Sequence, residues 1–286
     1  MPLRRLAASG STNALFRLGE DLVVRLPRQP GGSATIEKEA RWVPLLAAGL
    51  PVAVPDVVAL GEPGLGYPEW WSVVRWIEGA TPAVVGGPSG SSTSPAPLAT
   101  DLAGLVRALG ALEVPREALA DPDLRWYRAD PLATQDADTR AGIEQCRDLP
   151  GLHVDLDAAL AVWDEAMTLP GVADVVPERW LHGDIAAENL LVRDGRLAAL
   201  IDFGALCVGD PTVDLMVAWE VLDPPGREAF RSASGADEAA WLRGRAWALS
   251  LAVRTFPYYW RTMPGRCASR LAVAEAVLAD AAQRGG

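Results

Sequence analysis

The 286 residues carry 26 basic and 37 acidic side chains, a formal net charge of −11, and half of them are apolar. Such a chain buries a real core rather than staying disordered, and it lacks the clustered cations of a sequence-independent nucleic-acid binder. No apolar run nears the roughly 20 residues of a spanning helix, and residues 1–13 show no apolar signal-peptide core, so a cytoplasmic protein without membrane contact is expected. Cys146, Cys207 and Cys267 are far apart and only His153 and His182 accompany them, which fits reduced structural thiols rather than a zinc site or disulfide framework. The acidic balance suits a cationic small-molecule partner, because a negative cleft concentrates positive ligands, and it suits plain solubility equally well. Lys38 is the only lysine; every other cation except the histidines is arginine.

Alternating residues at 15–18 and 22–26, around Gly19, Glu20 and Asp21, predict a β-hairpin within residues 3–27. Helical spacing follows over 34–48, with Ile36, Ala40, Val43 and Ala47 on one side. Pro44 is expected to kink that helix or split off its last turn, and Pro51 and Pro55 end it. Strands are expected at 57–60 and 71–77, joined by a turn at 62–66. The Gly/Ser/Pro tract 86–97 reads as a flexible loop with no chemical role. Beyond it, residues 98–112, 154–167, 211–222, 237–256 and 267–283 read as amphipathic helices, with Trp163, Trp219 and Trp247 as core residues. A small sheet-rich lobe thus precedes a larger helical one.

One non-helical island, 180–207, interrupts the helices. It reads as a strand end at Trp180 and Leu181, a loop over 182–188, and a hairpin of 190–192 with 197–201. The hairpin turns at Asp194–Gly195, a pair favoured in tight turns. That return brings Asp184, Asn189 and Asp202 together although they span 19 positions. Two carboxylates and an amide oxygen are hard ligands that suit Mg²⁺. Glycine-rich P-loop, dinucleotide-binding and serine-hydrolase signatures are absent.

The run H-G-D-x-x-x-x-N from His182 to Asn189, then D-F-G from Asp202 and G-D-P-T-V-D-L from Gly209, resembles the aminoglycoside phosphotransferase family, relatives of the protein kinases. The resemblance implies an α+β, bilobal protein-kinase-like fold. Residues 1–78 would form a small β-rich nucleotide lobe with one helix, and 79–286 a larger, mainly helical lobe holding the catalytic loop and acceptor site. It implies transfer of the γ-phosphoryl group of ATP or GTP to a hydroxyl of a small cationic acceptor, first of all an aminoglycoside-type antibiotic. The alternatives are a kinase for an amino sugar or macrolide, and a nucleotide-binding pseudokinase. A monomer with no nucleic-acid partner is expected.

By position, the resemblance makes Asp184 the group that accepts or orients the hydroxyl proton. Asn189 and Asp202 would hold Mg²⁺ against the nucleotide phosphates. His182 would pack and hydrogen-bond to fix the loop, and Asp214 would support it from below. Kinases pair a lysine on the third strand with a glutamate on the following helix. Here the strand offers Arg25, and Glu39 lies fourteen residues on, with Lys38 facing another side of the helix. An arginine can fork onto carboxylate and phosphate, so it could fill the place. Gly10 and Ser11 belong to the expected phosphate-covering loop, Arg75 and Ile77 to the hinge that would meet the adenine, and Glu220 and Asp223 to the expected ammonium-binding acceptor site.

Overall fold

The structure is a computed structural model and describes residues 1–6, 12–89, 91–174 and 177–285. Strands β1 (Leu3–Arg5), β2 (Asn13–Leu18), β3 (Leu22–Pro27), β4 (Val57–Gly61) and β5 (Trp71–Arg75) form an antiparallel sheet in the order β1-β2-β3-β5-β4. The central strand β3 pairs Arg25 with Leu15 on one side and Ser72 on the other. Period-2 alternation buries Val23, Arg25 and Pro27 together. Helix α1 (Ser33–Ala47) turns Ile36, Glu39, Val43 and Leu46 inward at helical spacing, so Glu39 sits inside an otherwise apolar stripe. Contrary to expectation, Pro44 leaves α1 as one element. Pro44 falls in the last turn, where little helix remains to break.

The rest of the chain is mainly helical. In order come α2 (Ala96–Ala111), α3 (Arg116–Leu119), α4 (Asp136–Arg147), α5 (Leu156–Ala166), strands β6 (Arg179–Leu181), β7 (Leu190–Arg193), β8 (Arg196–Leu200) and β9 (Cys207–Gly209), then α6 (Ala218–Val221), α7 (Pro224–Ser234), α8 (Glu238–Tyr259) and α9 (Pro264–Gly285). Helix α8 is the axis of this part, packed against α4, α5 and α9 and buried over most of its length. Trp163, Trp219, Trp241 and Trp247 fill the core around it, with the Trp219 and Trp241 ring centroids 4.5 Å apart. Among the described residues, no helix is long and apolar enough to cross a membrane.

Several elements depart from the expected list. Residues 211–222 do not form one amphipathic helix: a 3₁₀ stretch, Pro211–Val217, leads into the single turn of α6. Asp210 caps it through the Thr212 N–H, and the tighter winding turns Thr212 through Val217 inward together. Helix α4 is absent from the expected list: it buries Thr139, Gly142, Ile143 and Cys146 in one stripe at helical spacing, but two of those four are not strongly apolar and the sequence signal is weak. Helix α7 opens Pro-Pro-Gly, which reads as a loop, yet Asp223 caps it and proline is at home in a first turn. The described residues of the tract 86–97 are anchored rather than free: Gly86 N–H meets Ser91 O, Ser94 Oγ binds Asp223, and α2 already begins at Ala96, while Val85 just before the tract donates its N–H to Glu220 O.

The β7–β8 hairpin is as expected, with Asp194 at φ 53° and Gly195 at φ 75°, the two left-handed residues a type I′ turn requires. Bridges from Ala53 to Ala199 and from Ala80 to Val192 tie this hairpin to the N-terminal part. Lys38 makes a further tie, its buried Nζ donating to Gly204 O at 2.7 Å and Leu206 O at 3.2 Å. Lys38→Met keeps the stem but strips both carbonyls of their donor. It should destabilise the fold by about 1–3 kcal/mol, read from urea unfolding midpoints; an unchanged midpoint would show the tie to be idle.

Candidate active site

Strand β6 delivers the chain into the loop 182–189. Asp214 catches the loop at its start, one carboxylate oxygen accepting the His182 N–H at 2.7 Å and the other the Gly183 N–H at 2.8 Å. Burial pushes the Asp214 carboxyl up to about 7, against the pull of those two donors. Gly183 then turns with φ 78°, and a Cβ there would lie 2.6 Å from the Ala205 carbonyl oxygen, so only glycine fits. His182 is fully buried edge-on to Phe203, with ring centroids 4.7 Å apart. Its Nδ1 accepts the Asp184 N–H at 3.3 Å, which assigns the proton to Nε2, facing Ile201 O at 3.2 Å. Burial lowers its pKa. His182 thus ties the start of the loop to the end of the hairpin.

Asp184 projects from this frame. Asn189 Nδ2 donates to its carbonyl at 2.8 Å and to its Oδ2 at 3.2 Å. Arg128 Nη1 donates to its Oδ1 at 2.5 Å and to Gly183 O at 2.7 Å. Burial pushes the Asp184 carboxyl up, but the charge and hydrogen bond of Arg128, joined by the Arg270 charge, together outweigh it and hold the group below the usual carboxylate range. An ionised carboxylate accepts about four hydrogen bonds, and these use two. With 28% of the side chain exposed, lone pairs remain for an incoming hydroxyl.

The hairpin closes the site. Ile201 N–H bonds Asn189 O at 2.9 Å, so Asp202 emerges next to Asn189. Asp202 is one of the few non-glycine residues at positive φ, 62°, and its side chain is 38% exposed. Its Oδ1 accepts the Gly204 N–H at 3.4 Å and lies 3.9 Å from Arg25 Nη2. Arg25 forks onto Glu39, with Nη1 on Oε2 and Nη2 on Oε1 at 3.0 Å, both side chains buried. Burial works against the charge on Arg25, but Glu39 holds its pKa above the ordinary arginine value. The sheet, α1 and the hairpin thus bring Arg25, Glu39 and Asp202 into one charged cluster.

Asn189 spends its amide nitrogen on Asp184, which leaves Oδ1 to take a cation beside the Asp202 carboxylate. Among the described residues, no group of three or more His, Cys, Asp or Glu side chains is placed to hold a metal unaided. One carboxylate and one amide oxygen are nevertheless a donor set that fits Mg²⁺ shared with phosphate oxygens and water.

The structure uses other expected site residues differently. Glu220 is no open carboxylate for an acceptor ammonium: it is 4% exposed, Oε1 takes the Ala187 N–H at 3.0 Å, and Oε2 takes Arg270 Nη1 at 2.7 Å. It braces the loop instead. Asp223 is the cap of α7, its Oδ1 accepting the Gly226 N–H at 3.0 Å and the Ser94 hydroxyl at 2.9 Å. Arg75 is engaged by Asp56 through both its N–H, at 3.0 Å, and its side chain, at 2.8 Å. Ile77 lies two residues beyond β5, in a segment without regular secondary structure, and Gly10 and Ser11 lie outside the described residues. Sequence reasoning missed Arg128 and Arg270, which no motif or periodicity marks.

Among solved structures, the chain is similar to the GDP complex of wild-type aminoglycoside 2′-phosphotransferase-IIIa, with 20% identity, 98% of this chain and 93% of that one covered, and a TM-score of 0.68. It is also similar to ADP-bound aminoglycoside phosphotransferase APH(2″)-Ib, with 19% identity, 97% and 94% covered, and a TM-score of 0.63. A third is the macrolide 2′-phosphotransferase MphH from Brachybacterium faecium, with 22% identity, 96% and 91% covered, and a TM-score of 0.61. A search of curated proteins found no match. These likenesses show the kinase-like fold. The family model described as the phosphotransferase enzyme family (APH) matches residues 4–247, and the chain belongs to that family.

Proposed function

We propose that the chain is an Mg²⁺-dependent O-phosphotransferase moving the γ-phosphoryl group of ATP or GTP onto a hydroxyl of a small-molecule acceptor. The carrying observation is the loop on which Asp184 stands clamped but accessible, beside Asn189 and Asp202 and next to the Arg25–Glu39 fork. Asp184 accepts the acceptor's proton as the hydroxyl oxygen bonds to phosphorus and the bond to the nucleoside diphosphate breaks. Asn189 Oδ1 and the Asp202 carboxylate would hold the metal ion. When bound, Mg²⁺ neutralises the phosphate oxygens as charge shifts between them. Arg25, aimed by Glu39, faces the phosphates in the place kinases give to lysine, and the segment around Ile77 meets the base.

As acceptor we read an aminoglycoside-type antibiotic. The net charge of −11 and the solved relatives described as complexes with kanamycin and gentamicin support that reading. Occupied carboxylates at Glu220 and Asp223 favour a second reading, a macrolide acceptor with less need of ammonium recognition. A panel of aminoglycosides, macrolides and amino sugars with ATP and GTP, read by mass gain of one phosphate, decides between them. Nucleotide binding without turnover on any member would support a pseudokinase.

Three outcomes follow for variants. Asp184→Asn should lower kcat by about 10²–10⁴-fold with nucleotide binding retained, because the amide cannot take the proton; near-wild-type turnover removes the assignment. Asp202→Ala should weaken Mg²⁺-dependent nucleotide binding more than Asn189→Ala, since a formal anion outweighs an amide dipole. Equal metal titrations for the two would contradict the ligand set. Arg25→Ala and Glu39→Ala should each raise the nucleotide KM and lower kcat. The double variant should lose less than the sum, because Glu39 acts through Arg25; full additivity measured by steady-state kinetics would separate them.

A further inference from the structure

The loop 182–189 that carries Asp184 contains no lysine or arginine. A carboxylate on such a loop can rotate about two side-chain torsions, while proton acceptance needs it within hydrogen-bond reach of one hydroxyl. Arg128 reaches the loop from a 3₁₀ turn, Tyr127–Ala129, that lies 56 positions earlier in the chain. One nitrogen, Nη1, uses its two hydrogens on Asp184 Oδ1 at 2.5 Å and Gly183 O at 2.7 Å, so it links the carboxylate to its own loop backbone. Arg128 is itself aimed. Its Nε donates to the Tyr127 hydroxyl at 3.0 Å, and its guanidinium carbon lies 4.8 Å from the centre of the Trp126 ring. Asn189 holds the other carboxylate oxygen at 3.2 Å, so donors from two separate elements grip Asp184.

We infer that Arg128 is a positioning residue for phosphoryl transfer, fixing the Asp184 side chain so that its remaining lone pairs face the acceptor hydroxyl. The inference rests on the reading of Asp184 as proton acceptor. Arg128 does not touch the reacting atoms in this arrangement; it acts through the carboxylate. A guanidinium suits the task because its rigid, planar donors set direction, which a lysine ammonium does less well.

The test compares R128A and R128K in the full chain, using the acceptor identified by the antibiotic panel. For a carboxylate misplaced by about 1 Å, kcat of R128A should fall by about 10²-fold. The nucleotide KM should stay within about threefold, since Arg25, Asn189 and Asp202 are untouched. R128K should recover part of the loss, and free guanidinium should partly rescue R128A while leaving the R128A/D184N double variant inactive. A folded R128A with kcat within about twofold of wild type, or a KM rise with kcat unchanged, overturns the inference. If wild type turns over nothing on the panel, the function proposed above fails, and crystal structures still decide this point. In R128A the Asp184 carboxylate should leave Asn189 Nδ2 for another rotamer, and a carboxylate found in its original place overturns the inference.

Discussion

Two hydrogen bonds from consecutive backbone amides to one buried carboxylate set the geometry of the whole site. Asp214 takes the N–H groups of His182 and Gly183, and no helix or strand could satisfy those amides where the chain bends. With them anchored, Gly183 can pass beneath the Ala205 carbonyl and the Asp184 side chain stays partly exposed. The 3₁₀ winding of Pro211–Val217 presents Asp214 inward, and α8 backs that stretch from behind. Without the carboxylate, two buried amides would each cost about 1–3 kcal/mol. The loop would then relax, and the positions of Asp184, Asn189 and Asp202 would relax with it.

The second organising element is α1, which grips the segment 202–206 twice. Glu39 does so through Arg25, whose Nη2 lies near Asp202, and Lys38 does so directly through the carbonyls of Gly204 and Leu206. A buried ion pair adds little stability over apolar packing. Keeping Glu39 in the otherwise apolar stripe of α1, against Arg25 of β3, therefore makes sense as orientation: the fork holds a permanent charge beside Asp202. Movement of α1 away from the sheet would pull on the fork and on Lys38 together, so helix position and the setting of Asp202 are mechanically coupled.

The chemistry-bearing core was readable because its residues are close in sequence and separated by a tight hairpin, whose Asp194–Gly195 turn fixes their return. Arg25 and Glu39 were singled out by the family resemblance, which pairs a third-strand cation with a glutamate on the following helix, and by their interval; the apolar spacing of the helix alone did not mark Glu39. Arg128 was not, since it arrives by tertiary packing from an irregular stretch between helices. Glu220 was found in the right neighbourhood but with the wrong task, because a carboxylate's charge is visible in sequence and its burial is not. Helix α4, almost entirely polar on its outer side, and α7, opening on two prolines, hid behind local signals that packing and an Asp223 cap overrode.

Arginine at position 25, in place of a lysine, also changes which reagents can modify the proposed nucleotide site. Guanidinium groups resist acylation and form no Schiff bases, and the single primary amine among the side chains, on Lys38, is buried against carbonyl oxygens away from Arg25. Nucleotide analogues that label kinases by acylating the strand lysine would therefore leave this site unmarked. The same substitution puts the charge at position 25 beyond the reach of acetylation.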